Sequence, residues 1–417
     1  MAVAIEKKCL QVVVCIFFFQ LFFCTHVCAL LVGADRLLSP PYIEKLHGKR
    51  IGLIANQTSL TRDFQPLAEL LVSSASKGQY QVAAFFSPEH GWDGEHYAEE
   101  AVENGRDRRG IPIYSLHGKT RRPTQEMLEG IDLLIYDMQD VGLRSYTYVS
   151  TLFYLMEEAA KSKIPVLVLD RPNPLNGITV DGPFLEEKWR SFIGYIDVPL
   201  CHGMTAGELA LYFNAEYQVG CSLTVVPMEG WKRNMSFGDT GLAWVPTSPH
   251  IPEPSSVFGY ATTGLIGELG LVNIGIGYSL PFRLVGAPWI QAHHFAAELN
   301  RQALPGVHFH PFYFRPFFGR FAKEECQGVL ILVTDSKKYL PVTTQYVLMG
   351  LLKTLYPKEV ARAFALKKDF TPFYRACGTE KIFHILRDET YPAWKLRGLH
   401  QQERERFLIK RRPYLLY

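Results

Sequence analysis

The sequence predicts an α/β protein built on one doubly wound, mostly parallel sheet with helices on both faces. Two patterns carry the prediction. Short apolar runs alternate with segments of helical periodicity, in strand–loop–helix units of the size a parallel crossover needs. Four of those runs end abruptly in polar clusters: Asn56 and Gln57, Glu89 and His90, Asp137 to Asp140, and Asp170 to Asn173. A scaffold held by packing alone needs no such clusters. A parallel sheet collects them along its carboxyl edge, where the ligands of open α/β sheets bind.

The first segment stands apart. Lys7 and Lys8 precede a nearly unbroken apolar run from Leu10 to Phe23, and Val27-Cys28-Ala29 has the small residues of a cleavage site. The run is shorter than the ~20 residues of a membrane span. Residues 1–29 are expected to be a cleaved signal peptide, with an uncleaved anchor as the alternative. The mature chain is then secreted or periplasmic, without stable membrane insertion. Half of the eight cysteines lie in this segment. The others, Cys201, Cys221, Cys326 and Cys377, form no C-x-x-C pair, which excludes a zinc knuckle and leaves a Cys201–Cys221 disulfide open.

Within residues 30–245, Arg50 to Ala55 is an apolar strand ending at a polar turn, and Phe64 to Ser73 has helical spacing. Val82 to Phe86 is the second strand. Glu95 to Arg109 is charged and punctuated by glycine, as in an exposed loop. Ile111 to Tyr114 is a short strand, Thr124 to Leu128 a helical turn, and Ile131 to Tyr136 a buried strand. Tyr148 to Lys161 is a helix and Pro165 to Leu169 a strand. Thr205 and Glu208 have capping-box spacing before the next helix, so Glu208 is read as a cap. Leu223 to Val226 closes the sheet. The prolines between Gly241 and Ser256 make a stiff connector across the cleft. Residues 246–417 follow as a second domain, with a glycine-rich segment (Gly264 to Gly277), a strand (Val329 to Thr334), an amphipathic helix (Thr343 to Leu355) and a basic tail.

Composition narrows the function. A hydrophobic content of 47% and a charged content of 20% describe an ordinary globular chain, and a formal charge of +3 argues against a nucleic-acid partner. No G-x-G-x-x-G or G-x-x-x-x-G-K run follows a strand, so the frame is not expected to hold a nucleotide, and no cofactor is expected. The focal stretch is Ser87-Pro88-Glu89-His90-Gly91. Pro88 cannot donate to a sheet ladder, so the strand stops there and sets a carboxylic acid and an imidazole at the sheet edge.

Several motifs resemble the exo-β-N-acetylmuramidases of the NamZ type. They are Ser87 to Gly91; Tyr114-Ser115-Leu116 with Arg122-Pro123-Thr124; Asp137 to Tyr148; Asp170 to Gly177; His202 to Leu209; and Gly286-Ala287-Pro288-Trp289. The resemblance runs from about Leu31 to Tyr417. It implies a Rossmann-like catalytic domain, a smaller α+β auxiliary domain, and release of terminal N-acetylmuramic acid from the non-reducing end of peptidoglycan fragments. This chain departs from the pattern at Asp93, where arginine is usual, at His250, where asparagine is usual, and at Gly275-Ile276-Gly277-Tyr278, where the family has Gly-Arg-Gly-Thr.

Glycoside hydrolysis needs a carboxylic acid to protonate the leaving oxygen and, unless the substrate supplies its own nucleophile, a second carboxylate. Glu89 beside His90 is the expected general acid, its pKa raised by burial. The second group is Glu268, which matches a family glutamate, or Asp140 or Asp137. The lactyl carboxylate of muramic acid calls for a guanidinium, and Arg144 and Arg171 are the candidates; internal ion pairs are the competing reading for both. Asn56, Gln139, Tyr146, Asp170, Asn173 and His202 complete the expected binding set. Two other functions stay open: a cell-wall glycan-binding protein without catalysis, and a metal-dependent hydrolase using Glu89, His90, Asp93, Glu95 and His96. The spacing of those five matches no H-E-x-x-H-like ligand pair, and no metal is expected.

Overall fold

The computed structural model describes residues 30–75 and 78–417, so the expected signal peptide lies outside them. Seven strands form the main sheet: β1 (Arg50–Ala55), β2 (Gln81–Ser87), β3 (Gly105–Arg106), β4 (Pro112–Ser115), β5 (Leu133–Asp137), β6 (Val166–Leu169) and β7 (Leu223–Val226). Their order is β3-β4-β2-β1-β5-β6-β7, with every pair parallel except β3 on β4. The chain winds outward from β1 in one direction, then returns to pair β5 with β1 and winds the other way. That reversal is the doubly wound arrangement, and it brings every polar strand end to one edge.

Alternation along the strands separates two buried faces. Ile54, Phe86, Leu134, Tyr136 and Val168 pack on one side, with the helices Thr147–Ser162 and Ala206–Glu216. Leu53, Phe85, Leu133, Ile135 and Leu169 pack on the other, against Leu67 and Leu71 of the helix Leu67–Ala75. Strands buried on both faces are continuous apolar runs, which is why they were legible. Thr205 and Glu208 form the expected capping box, with bonds of 3.2 and 3.1 Å.

The C-terminal half adds a three-stranded antiparallel sheet, β8 (Leu284–Ala287), β9 (Val307–Phe314) and β10 (Cys326–Val333), with helices around it. Its core is continuous with one face of the main sheet, since Val285, Phe309, Ile331 and Val342 belong to the same cluster as Tyr136. Part of the glycine-rich segment Gly264 to Gly277 is helical: Pro254–Leu269 is a helix that ends at Gly270, φ 67°. Packing overrides glycine's low propensity there, because a Cβ on Gly259 would lie 2.8 Å from the Phe282 carbonyl oxygen. The basic tail is the helix Gln401–Lys410, anchored by buried Phe407, and the guanidinium of Arg411 donates to the His202 and Gly203 carbonyls. All four described cysteines are buried and free, so no Cys201–Cys221 bond forms.

Candidate active site

A cavity of about 500 Å³ opens over the carboxyl ends of β2 and β4. Its floor comes from the strand ends, at Glu89, His90 and His117. Ser145, Tyr146 and Thr147, at the start of the helix Thr147–Ser162, form one wall. The proline connector crosses it at Ser248 to Ile251, as its stiffness suggested, and the C-terminal half supplies Tyr260, Glu268 and Arg375. The turn after β2 is held in a sparsely populated conformation, with His90 at φ 73° and Gly91 at φ 85°. His90 Nδ1 donates to the His96 carbonyl at 2.8 Å, which orients the ring.

Glu89 is 7% exposed, yet its carboxylate is well satisfied. Oε2 accepts from the Thr147 hydroxyl at 2.6 Å and Oε1 from the Glu99 amide at 3.0 Å, while His117 Nε2 lies 3.6 Å away. Burial pushes the Glu89 carboxyl up, but these donors with His117 and His90 together outweigh it and hold it below the ordinary range. This reverses the expected direction, because the donors come from residues distant in sequence. Glu268 behaves oppositely. Burial raises its pKa, the charge of Glu99 raises it further, and Lys367 opposes them. His117 is lowered by burial despite Glu89, and neither of its ring nitrogens has a hydrogen-bond partner. Both ring nitrogens therefore stand unsatisfied on the cavity floor.

Most of the other expected residues lie outside the cavity. Where the winding reverses, between β1 and β5, the polar strand ends bond to one another. Arg171 grips Asp137 with two bonds of 2.5 and 2.8 Å, and Ser59 donates to the same carboxylate. Asn56 accepts from the Thr58 amide and hydroxyl, and Gln139 donates to the Asp140 and Pro172 carbonyls. Asp170 accepts from Thr205, Gly207 and Tyr417, and Asn173 donates to the Met204 carbonyl. His202 is wholly buried, and burial pushes its imidazole down to about 3. Asp140 accepts from the Gly142 amide while burial lifts its carboxyl to about 7, and it does not reach the cavity wall.

Arg144 also turns away. It is 2% exposed and donates to the carbonyls of Pro183, Val198, Ala376 and Cys377, with burial lowering its pKa to about 10. A Cβ on Gly378 would meet its guanidinium at 2.5 Å, and that glycine sits at φ 85°. Arg144 is therefore a clamp joining the two halves behind the cavity, and Arg171 is an internal ion pair. Neither guanidinium is placed to meet a lactyl carboxylate in this cavity.

The guanidiniums that do line the cavity are Arg121 and Arg375. Arg121 lies over the Phe192 ring at 4.7 Å. Sequence reasoning missed both: Arg121 follows β4 by six residues, and Arg375 lies in the helix Thr371–Cys377. His117 was within reach of the rule that found Glu89, because it follows the next strand by two residues. Of the expected catalytic set, Glu89, His90 and Glu268 share the cavity with Tyr146. The proposed ligand cluster at Glu89 to His96 does not assemble: His96 faces Glu95 and Glu100, and among the described residues no group of three or more His, Cys, Asp or Glu is placed to hold a metal ion.

Two carboxylates, pushed in opposite directions by their surroundings, line one cleft on a doubly wound sheet, which is the kind of pair that glycoside hydrolysis requires. Comparison with known proteins agrees. Residues 51–255 match the N-terminal domain model of exo-β-N-acetylmuramidase NamZ, and residues 258–417 match its C-terminal domain model. The chain belongs to the NamZ exo-β-N-acetylmuramidase family. It is 43% identical over 328 residues, 78% of either chain, to the peptidoglycan β-N-acetylmuramidase NamZ of Bacillus subtilis (strain 168). Its fold matches crystal structures of two DUF1343 family proteins of Bacteroides fragilis NCTC 9343. One has a TM-score of 0.86 at 37% identity and the other 0.73 at 27%, each covering 93% of this chain and 99% of theirs.

Proposed function

We propose that this protein is an exo-acting glycoside hydrolase that releases terminal N-acetylmuramic acid from the non-reducing end of peptidoglycan fragments. The observation that carries the reading is the opposed pair Glu89 and Glu268 in one cavity. Glu268, shifted toward its protonated form, gives its proton to the glycosidic oxygen as the bond to the anomeric carbon breaks. Glu89, held as a carboxylate by Thr147, Glu99 and His117, stabilises the positive charge that develops on the sugar ring until water adds to the anomeric carbon and its released proton restores Glu268. This exchanges the roles expected from sequence, for the physical reason that Glu89 is hydrogen-bonded and Glu268 is only desolvated. Arg121 and Arg375 supply the cations for the lactyl carboxylate.

The reading also takes the chain as exported, supported by the basic start and apolar run of residues 7–23 and the small residues at 27–29. Among the described residues no helix is long and apolar enough to cross a membrane. The experiment is release of free N-acetylmuramic acid, followed by mass spectrometry, from the disaccharide with N-acetylglucosamine at its reducing end. Cleavage that persists with a chelator and starts at the non-reducing end is the expected result. Absence of any released sugar would reject the reading.

A further inference from the structure

At the rim of the cavity, three aromatic rings from three distant segments are in contact, with His250 in the middle. The Tyr97 and His250 ring centroids are 5.9 Å apart, and those of His250 and Phe318 are 6.3 Å apart, with interplanar angles of 31° and 40°. His250 is half-buried and lines the cavity, whereas Tyr97 and Phe318 are 54% and 52% exposed. The series is therefore anchored in the cavity wall at its centre, His250, and exposed at both ends. Tyr97 directly precedes Ala98 and Glu99, which also line the cavity.

The placement of Phe318 is built rather than incidental. It sits in the connection between β9 and β10, which the Lys323 amide closes by donating to the Pro316 carbonyl at 2.8 Å. The Phe317 amide donates to the Gly277 carbonyl at 2.7 Å, and a Cβ on Gly277 would lie 2.1 Å from the Phe318 carbonyl oxygen. Only glycine at 277, φ 84°, lets the two loops approach so closely. Large aromatic side chains left exposed beside a catalytic cleft mark a binding surface.

We propose that Tyr97, His250 and Phe318 form a stacking subsite for the pyranose ring on the leaving-group side of the scissile bond. The inference rests on the glycosidase reading above. A terminal residue occupying the cavity leaves its glycosidic oxygen directed outward, so the next ring must cross the rim. Pyranose rings carry C–H groups on both faces, and these pack against aromatic faces with little demand on hydrogen-bond geometry. Burial, with His90 nearby, lowers the His250 pKa and so favours the neutral ring that suits such a contact. The antiparallel sheet of the C-terminal half thereby acquires a role in recognition of the second sugar.

The test is calorimetric titration of the wild-type protein and the Phe318→Ala and Tyr97→Ala variants with two ligands. One is free N-acetylmuramic acid, and the other is a non-hydrolysable S-linked disaccharide of N-acetylmuramic acid on N-acetylglucosamine. Each variant is expected to weaken the disaccharide by about fivefold, the order of one aromatic contact, and to leave the monosaccharide unchanged. Phe318→Trp should retain disaccharide affinity. Unchanged disaccharide affinity in both variants overturns the proposal, including the case where the same variants instead alter vesicle sedimentation or oligomeric mass. Equal weakening of both ligands overturns it too. Failure of the wild-type protein to bind either saccharide would count against the glycosidase reading itself.

Discussion

Replacing Thr147 with valine removes one hydroxyl and nothing else of shape. That hydroxyl donates to Glu89 Oε2 at 2.6 Å, while the Glu99 amide and His117 keep their places on Oε1. A hydrogen bond to a charged group contributes about 1.5–3 kcal/mol, and one pKa unit corresponds to about 1.36 kcal/mol. The Glu89 pKa should therefore rise by about one to two units. If Glu89 acts as a carboxylate, the acidic limb of the kcat/KM profile on a nitrophenyl N-acetylmuramide reports its titration in the free enzyme. The limb should move up in pH by that amount, with the plateau little changed, and Thr147→Ser should restore it. An unmoved acidic limb refutes the electrostatic account of Glu89. Movement of the basic limb instead would return the acid role to Glu89.

Glu268→Gln should lose about 10²–10⁴-fold on the natural disaccharide and much less on a nitrophenyl substrate, which needs little protonation. Glu89→Gln should cripple both, and the reverse pattern would exchange the two roles. Arg121→Met and Arg375→Met together should abolish the preference for muramic over glucosamine substrates, measured as a ratio of kcat/KM values; an unaltered ratio removes them from recognition. Arg144→Met should leave that preference intact in the folded protein, but it strands buried carbonyls and should cost at least about 3 kcal/mol in urea unfolding. A folded variant with altered preference would put Arg144 back in the site. The Asp140 carboxyl is raised to about 7 in the folded chain against about 4 unfolded, so ionising it opposes folding, and the penalty grows as pH rises from 4 to 7. Asp140→Asn keeps the bond from the Gly142 amide and should gain stability over wild type, on the order of 3 kcal/mol more at pH 8 than at pH 4. A pH-independent difference would refute it.

The alternation of strands and helices, the bounds of Arg50–Ala55 and Leu223–Val226, the capping box at Thr205, and the polar strand ends were legible because each depends on residues near in sequence. The stop at Pro88 and the turn at Gly91 put Glu89 at the carboxyl edge by local chemistry alone. The helix Pro254–Leu269 was not legible, because glycine at 259 is required by the close approach of Phe282, a tertiary contact, and not by local sequence. Arg121, in the loop after β4, and Arg375, in the helix Thr371–Cys377, carry no local signature either.

Which polar strand end faces a ligand was decided only by the tertiary structure. Asp137 and Arg171 carry the same functional groups as a working site, yet they close on each other where β1 meets β5. Tyr417 and Thr205 occupy Asp170 in the same way. The C-terminal half lies instead over the ends of β2 and β4 and brings in Glu268, which is desolvated without a hydrogen-bond donor, whereas Glu89 takes its donors from Thr147 and Glu99 of the N-terminal half. Residue identity alone determined that a carboxylate stands at each of these places. Its charge state follows from desolvation and from donors that tertiary folding brings to it, such as Thr147 on Glu89, and neither can be read from the carboxylate's local sequence.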